Sequence, residues 1–436
     1  MAPLILSPTI ESSLRLMSAE SEVRRRIQER GKITFAEFIE IALYWPQGGY
    51  YSGREPVGAQ GDYYTSPAVH PAFGALLAVQ LFQMWREMGS PAVFTVLELG
   101  AGNGLLCRDI TSYAKEMPRG FAVALRYLCL DRRSPETLEA GNTGTGRILS
   151  DGLPFKGLEG CILSNEYLDA FPVHQVNMTS NGLKEVYVGL EGDDLVEITG
   201  ELSDPALARR FTDLGAVLVE GQTAEVNLSL DEWAQDVSAA LEHGFVLTID
   251  YGRTGLDLYD SDARAKGTLV TYHQHIQTDA PLTMIGNQDI TAQVDFTSVI
   301  KAGEKVGLNA LGLVTQSEFL SNLNLDMLQQ RLASQTFSPR QMQANRAGIL
   351  DLVRPGGLGD FKILAQGKKA GSSKLWGMER SEAATSLLEN LPVPLLTGLH
   401  LPLADGRSGG SVTESGVFWT FPEFDPLNEG ESPITE

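Results

Sequence analysis

The 436-residue chain has only three cysteines and six histidines, and it contains no run of 18 apolar residues. Cys107, Cys129 and Cys161 all fall in apolar runs with no close spacing, which excludes a disulfide framework and a cysteine metal site and leaves buried, reduced thiols. Without a long apolar run there is no membrane-spanning helix. Positive charge is scarce as well: 34 Lys and Arg against 55 Asp and Glu give a net charge of −21. A nucleic-acid binder works by neutralising phosphates, so this balance argues against DNA or RNA as a partner. The segment Met1 to Pro8 places no basic residue before its apolar ones, and Glu11, Glu20 and Glu22 follow. Neither a secretory signal nor a transit peptide is read there, and the expectation is a cytoplasmic enzyme.

One absence is more specific. Val96-Leu97-Glu98-Leu99 reads as a buried strand that runs into the turn Gly100-Ala101-Gly102-Asn103-Gly104 and then into a helix from Leu105. A nicotinamide or flavin fingerprint would place its third glycine at position 105, which is Leu105. The spacing is instead E-x-G-x-G-x-G, with the Glu98 carboxylate at the strand end. An acid there repels a pyrophosphate but can accept a hydrogen bond from the ammonium of S-adenosylmethionine. Glycines at 100, 102 and 104 let the backbone approach such a ligand closely.

The following strands extend the pattern. Leu125 to Leu130 ends at Asp131, placed to accept both ribose hydroxyls, and Ile148-Leu149 ends at Asp151, suited to the adenine amino group. A fourth strand, Cys161 to Ser164, opens onto Asn165-Glu166-Tyr167-Leu168-Asp169. It lacks the double-proline motif of DNA amino-methyltransferases. Asn165 is a candidate for holding the donor or capping the turn.

The string N-E-Y-L-D-A-F-P-V-H from Asn165 resembles a segment of the MidA-type S-adenosylmethionine-dependent methyltransferases, whose mitochondrial members assist respiratory complex I assembly. The resemblance covers roughly residues 30 to 370. It runs through Ile33-Thr34-Phe35, Gly49-Tyr50-Tyr51, Gly61-Asp62-Tyr63-Tyr64-Thr65-Ser66-Pro67, Ile249-Asp250-Tyr251-Gly252, Tyr272 with His275, Asp289-Ile290-Thr291-Ala292 and Phe361-Lys362. Ala68 and Ala75 stand where the family has Glu, and the turn is A-G-N-G rather than P-G-R-G. Two acids and one Arg are thus missing near the expected mouth.

The resemblance implies an α/β class I methyltransferase: a Rossmann-like, seven-stranded, mostly parallel sheet with helices on both faces. It implies S-adenosyl-L-methionine as cofactor and protein arginine methylation as the activity. Domain limits are expected at 1–92 for an N-terminal helical layer and pocket-covering loop, and at 93–370 for the core, with insertions near 173–225 and 253–296. Residues 371–436 form an extension expected to be partly disordered. Helix is expected over 12–45, with capping at Thr34 by way of Glu37.

A guanidinium stays protonated at accessible pH, so its site should hold carboxylates that orient the fork and take the proton. Glu166 and Asp169, on one expected helical turn, and Asp250 at the end of the fifth strand are the catalytic candidates. Gly61, Asp62, Tyr63, Thr65, Pro67 and Tyr251 form the expected substrate-site loop. No metal is expected: His273, His275 and His174 read as structural, with His174 packing or bonding backbone. The partner is a protein substrate; oligomeric state, a homodimer included, stays open. Two other functions remain: a non-catalytic assembly factor that keeps the donor fold as a scaffold, and a methyltransferase for a small molecule.

Overall fold

The structure is a computed structural model and describes residues 18–53, 65–132, 144–273, 276–371 and 374–400. Two capped helices open it. Ser18 accepts from the Ser21 N–H at 3.2 Å and starts α1 (Ala19–Arg30); Thr34 accepts from the Glu37 N–H at 3.1 Å and starts α2 (Phe35–Tyr44). The helix expected over 12–45 is therefore broken. Gly31, at φ 83°, ends α1, and β1 (Lys32–Thr34) follows, its backbone paired with a strand from much later in the chain. The Arg24-Arg25-Arg26 run is engaged rather than merely solvated: its guanidinium groups pair with Glu20, Glu22, Glu29 and Glu37.

The core begins with α3 (Ala72–Glu87), whose residues from Ala72 to Met84 are all buried. It continues through β2 (Phe94–Leu99), α4 (Leu105–Ala114), β3 (Leu125–Asp131), β4 (Thr145–Leu149) and β5 (Leu158–Asn165). The first insertion contributes β6 (His174–Thr179), β7 (Gly182–Glu191), β8 (Asp194–Gly200) and β9 (Thr223–Val226). Then come α5 (Leu230–Ala240) and β10 (Leu241–Asp250). The second insertion forms β11 (Val270–His273), β12 (Ile276–Thr278) and β13 (Asp289–Thr291), and α6 (Phe296–Lys305), β14 (Asn309–Thr315) and β15 (Lys362–Lys368) close the fold.

The central sheet has seven strands in the order β14-β15-β10-β5-β2-β3-β4. β4, β3, β2, β5 and β10 pair in parallel, and only β15 runs against its neighbours. Alternation along each strand feeds the two faces. Val96, Tyr127 and Cys161 pack beneath α3 and α4, while Leu97, Ile162 and Val246 meet Trp233 and Val237 of α5 and Phe296 and Val299 of α6. The expected class I methyltransferase architecture is therefore present, with helices on both faces.

Both insertions leave the carboxyl edge of the sheet. β1 joins the first in a sheet of order β1-β7-β6-β9, with β8 on β7. The N-terminal layer rests on these insertions: Val23, Phe35, Phe38 and Leu43 pack with Val186 and Val188 of the first and Ile285 and Ile290 of the second. The expected limits at 92 and 371 do not coincide with packing boundaries. α3 belongs to the main core, and so do Leu375, Trp376, Leu388 and Val393 of the C-terminal segment. The three cysteines are buried and free, as expected.

Trp376 is 9% exposed, and its ring lies 6.4 Å from that of Phe82 on α3. Trp376→Ala should cost about 3–5 kcal/mol in urea unfolding. A loss below about 1 kcal/mol, the size of an ordinary surface substitution, would separate residues 374–400 from the core.

Candidate active site at the carboxyl edge of the sheet

The turn after β2 is built by backbone geometry. Gly100, Gly102 and Gly104 all take positive φ (67°, 49° and 77°), a region that disfavours side chains. The turn is tied to the next strand because the Gly100 N–H donates to the Leu130 carbonyl at 2.9 Å. A Cβ on Gly100 would strike the Tyr167 ring at 2.6 Å, whereas a Cβ on Gly102 would meet open space. Asn103 accepts from the Leu105 N–H at 3.0 Å and so opens α4 where the family has Arg.

Two acids expected at this turn behave differently. Asp131 accepts from the Gly102 N–H at 2.9 Å, and Arg147 of β4 reaches the Gly102 carbonyl at 2.7 Å and Asp131 at 3.8 Å. The carboxylate and the turn are thus braced as one piece. Glu98 is 3% exposed. Its Oε2 receives the Tyr127 hydroxyl at 2.9 Å and faces the Cys129 thiol, which leaves Oε1 as the oxygen it can offer a ligand. Burial pushes its carboxyl well above the usual range. Asp151 lies exposed in the bend after β4.

The second cluster follows β5. The expected helical turn is absent here: Glu166 adopts φ 50°, its N–H donates to the Ile249 carbonyl at 2.8 Å, and residues 166–170 form bends and a turn. Asp250 explains this shape. Fully buried, its Oδ2 accepts from the N–H groups of Tyr167, Leu168 and Asp169 at 3.1, 2.9 and 3.4 Å, and its Oδ1 from that of Tyr251 at 2.9 Å. With both oxygens occupied by backbone, Asp250 holds the loop rather than facing an acceptor, which corrects its place among the catalytic candidates.

Glu166 and Asp169 keep capacity free. Asn165 donates its amide to Glu166 Oε1 at 2.9 Å, and burial, then the Asp169 charge, push the Glu166 carboxyl up to about 8. Asp169 Oδ2 receives the Tyr251 hydroxyl and lies 2.9 Å from Thr291 Oγ1, while burial raises its carboxyl. Two oxygens, Asp169 Oδ1 and Asn165 Oδ1, are buried without any donor. None of Glu166, Asp169 and Asp250 is paired with Lys, Arg or His among the described residues.

Aromatic and acidic neighbours complete the setting. Tyr51 donates to Asp289 at 3.0 Å, Tyr44 to the Ala170 carbonyl at 2.7 Å, and the two tyrosine rings stack at 5.5 Å. Thr65 and Pro67 are buried at the start of a helical turn. The next residue, Ser66, presents its backbone N–H to Glu166. Gly61, Asp62 and Tyr63 of the expected substrate loop, and His275, lie outside the described residues. Ala68 and Ala75 are buried, so the missing family acids leave no charge there. His273 bonds the Asn287 carbonyl, and His174 pairs with buried Glu185 rather than with backbone. No cluster of metal-ligating side chains exists among the described residues.

Sequence reasoning missed Tyr167, Arg147, Asp289 and Thr291 as parts of the site. Tyr167, Asp289 and Thr291 stand inside recognised motif strings, which was the available signal; nothing in the sequence marks Arg147.

Comparison with known proteins agrees with this geometry. A family model described as "Putative S-adenosyl-L-methionine-dependent methyltransferase" matches residues 76–314. The chain is 28% identical to "Protein arginine methyltransferase NDUFAF7 homolog, mitochondrial" of Drosophila melanogaster, across 80% of this chain and 84% of that one. It is 30% identical to the mitochondrial protein arginine methyltransferase NDUFAF7 of Danio rerio, across 71% and 77%. A crystal structure from Burkholderia thailandensis, bound to S-adenosyl-homocysteine, superposes with a TM-score of 0.74 at 26% identity and covers 87% of this chain and 98% of that one. The names of the relatives overturn the cytoplasmic expectation, since both are mitochondrial proteins.

Gly102 borders open space but holds φ 49°, so Gly102→Asn, a side chain that tolerates this backbone region, should leave the circular dichroism spectrum unchanged. Calorimetry with S-adenosyl-homocysteine should show affinity reduced on the order of a hundredfold or more, about 2.8 kcal/mol or above. Unaltered affinity would place the ligand elsewhere.

Proposed function

The chain belongs to the S-adenosyl-L-methionine-dependent methyltransferase family, and on that premise we propose that it methylates an arginine side chain of a partner protein. S-adenosyl-L-methionine is its cofactor. We assign donor binding to Gly100, Gly102 and Gly104, to Asp131, to the free Oε1 of Glu98, and to Asp151 and Asn165 at the neighbouring strand ends. The open space at Gly102 and the brace on Asp131 fit this role. When bound, the cofactor supplies an electrophilic sulfonium methyl group; alignment, water exclusion and proton removal fall to the chain.

One observation carries the choice of acceptor. Next to the turn after β2 lies a buried hydrogen-bond acceptor with no hydrogen-bond partner, Asp169 Oδ1, beside the carboxyl of Glu166, which no cationic side chain among the described residues pairs. Buried acceptors demand partners, and a guanidinium offers five N–H groups and the missing positive charge. Asp169 orients the fork. Glu166 takes the proton as the methyl arrives, a role favoured by a carboxyl that titrates near 8.

The same chemistry weighs against a bare scaffold, which has no use for desolvated acids at this edge. The relatives are named protein arginine methyltransferases of mitochondria, and we infer a mitochondrial setting. The resemblance to members that assist respiratory complex I assembly makes a respiratory-complex subunit the proposed acceptor. The segment from Gly61 to Tyr63, with Thr65 and Pro67, is assigned to acceptor contact; Tyr251, expected there too, donates its hydroxyl to Asp169.

Incubation of the protein with tritiated donor in a mitochondrial lysate should label a polypeptide on arginine. The label should vanish when the identified arginine is changed to lysine, which lacks the planar fork. Label found only on small molecules would favour the small-molecule alternative.

Glu166→Gln should keep donor affinity within about threefold and reduce single-turnover transfer by about a hundred- to ten-thousand-fold. The parent rate should rise with pH up to about 8, as Glu166 ionises. Stability runs in the opposite sense. The folded chain retains a proton on Glu166 that the unfolded chain releases near 4.5, so stability falls as pH rises from 4.5 to about 8. Glu166→Gln cannot ionise, and its melting temperature should gain on the parent's across that window. Parallel melting curves at pH 5.5 and 8.5 would show that Glu166 is ordinarily solvated.

A further inference from the structure

Asp169 is held more firmly than a surface turn requires. It is 8% exposed, and both its side chain and its backbone are gripped from outside its own loop. The Tyr251 hydroxyl donates to Oδ2, and Thr291 Oγ1 lies 2.9 Å from Oδ2 and 3.2 Å from the Asp169 carbonyl. The Ala292 N–H donates to that same carbonyl at 3.3 Å, and Tyr251 and Thr291 are themselves in hydrogen-bond contact through their hydroxyls. Tyr251 follows the core strand β10, whereas Thr291 ends β13 of the second insertion, where it pairs with Val270. Two separate parts of the fold thus converge on one oxygen of one carboxylate. Its other oxygen, Oδ1, is buried and has no hydrogen-bond partner; the nearby backbone N–H groups of Asp169 and Ala170 influence the carboxyl without completing a hydrogen bond to this oxygen.

This asymmetry has a cost unless something supplies the missing donor, because an unsatisfied buried acceptor loses its water without replacement. A freely rotating carboxylate would share its two donors between both oxygens. Pinning Oδ2 fixes Oδ1 instead.

We propose that Thr291 and Tyr251 are positioning residues that pin Asp169 by Oδ2, so that Oδ1 receives an N–H of the acceptor's cationic group. The inference rests on this pocket being the acceptor site. It gives the second insertion a task beyond covering the sheet edge: β13 delivers the hydroxyl that sets the angle of the carboxylate. Thr291 touches neither donor nor acceptor and acts through Asp169.

The test uses the full chain with Thr291→Val, Thr291→Ser and Tyr251→Phe. Val matches Thr in shape but lacks the hydroxyl, and Ser restores it. Calorimetry with S-adenosyl-homocysteine should give affinities within about twofold of the parent for all three. The initial rate of arginine labelling from tritiated donor in a mitochondrial lysate should fall tenfold to a hundredfold in Thr291→Val and Tyr251→Phe, as expected for a misplaced contact. Thr291→Ser should recover to within about threefold of the parent, a rescue that loss of fold stability alone would not produce at a temperature where every variant is folded. If Thr291→Val labels as fast as the parent, the positioning role is overturned while the acceptor site stands. If the parent binds S-adenosyl-homocysteine but labels no arginine, the acceptor reading fails and the positioning role with it.

Discussion

The Asp250 carboxylate is the interaction on which this active edge depends. Buried at the end of β10, it gathers the backbone N–H groups of Tyr167, Leu168 and Asp169 and that of Tyr251. A loop this deep has no water to satisfy its amides, and a single carboxyl group, pushed up by burial and by the neighbouring Asp169 and Glu166, accepts from four of them. The left-handed turn at Glu166 follows from it, since a chain leaving β5 must swing sharply to bring three successive N–H groups onto one oxygen. So does the placing of Tyr167 over Gly100, which brings the loop after β5 against the glycine turn after β2.

Around that point the molecule separates tasks by layer. The parallel sheet and its flanking helices supply fixed strand ends, as open α/β sheets do. The two insertions and the N-terminal layer form their own apolar cluster and close over those ends. The residues proposed for donor binding lie in or just after β2, β3, β4 and β5; the acids proposed to face the acceptor lie in the loop after β5, braced by β10 and β13. The chain's acidic balance finds local expression here, in carboxylates buried without cationic partners.

Much of this was legible from residue pattern alone. The strand through Val96, two residues longer than expected because it starts at Phe94, the strand start at Leu125, the turn at Gly100–Gly104, Asp131 at the end of β3 and the Thr34 cap are all local, set by burial alternation, glycine spacing or a side chain three residues from its backbone partner. What escaped depends on contacts distant in sequence. Asp250 looks like any strand-end acid until Tyr167 is brought to it. Arg147 is an unremarked residue of a short strand until Gly102 and Asp131 meet it. β1 has only three residues and no intrinsic strand signal; it exists because β7 offers an edge. The cytoplasmic expectation failed for another reason, since it came from terminal composition and the relatives are mitochondrial.

That pairing of β1 with β7 imposes an order on the birth of the protein. Ile33 finds its partner in Val188, roughly 150 residues later, which at ribosomal speeds of 5–20 residues per second is a wait of about 8–30 s. Throughout this interval the oily faces of α1 and α2, with Phe35, Phe38 and Leu43, have little beyond each other and the neighbouring Tyr50 to rest against. The nascent polypeptide therefore carries exposed apolar surface, of the kind chaperones bind, at its front end long after its first helices have been made.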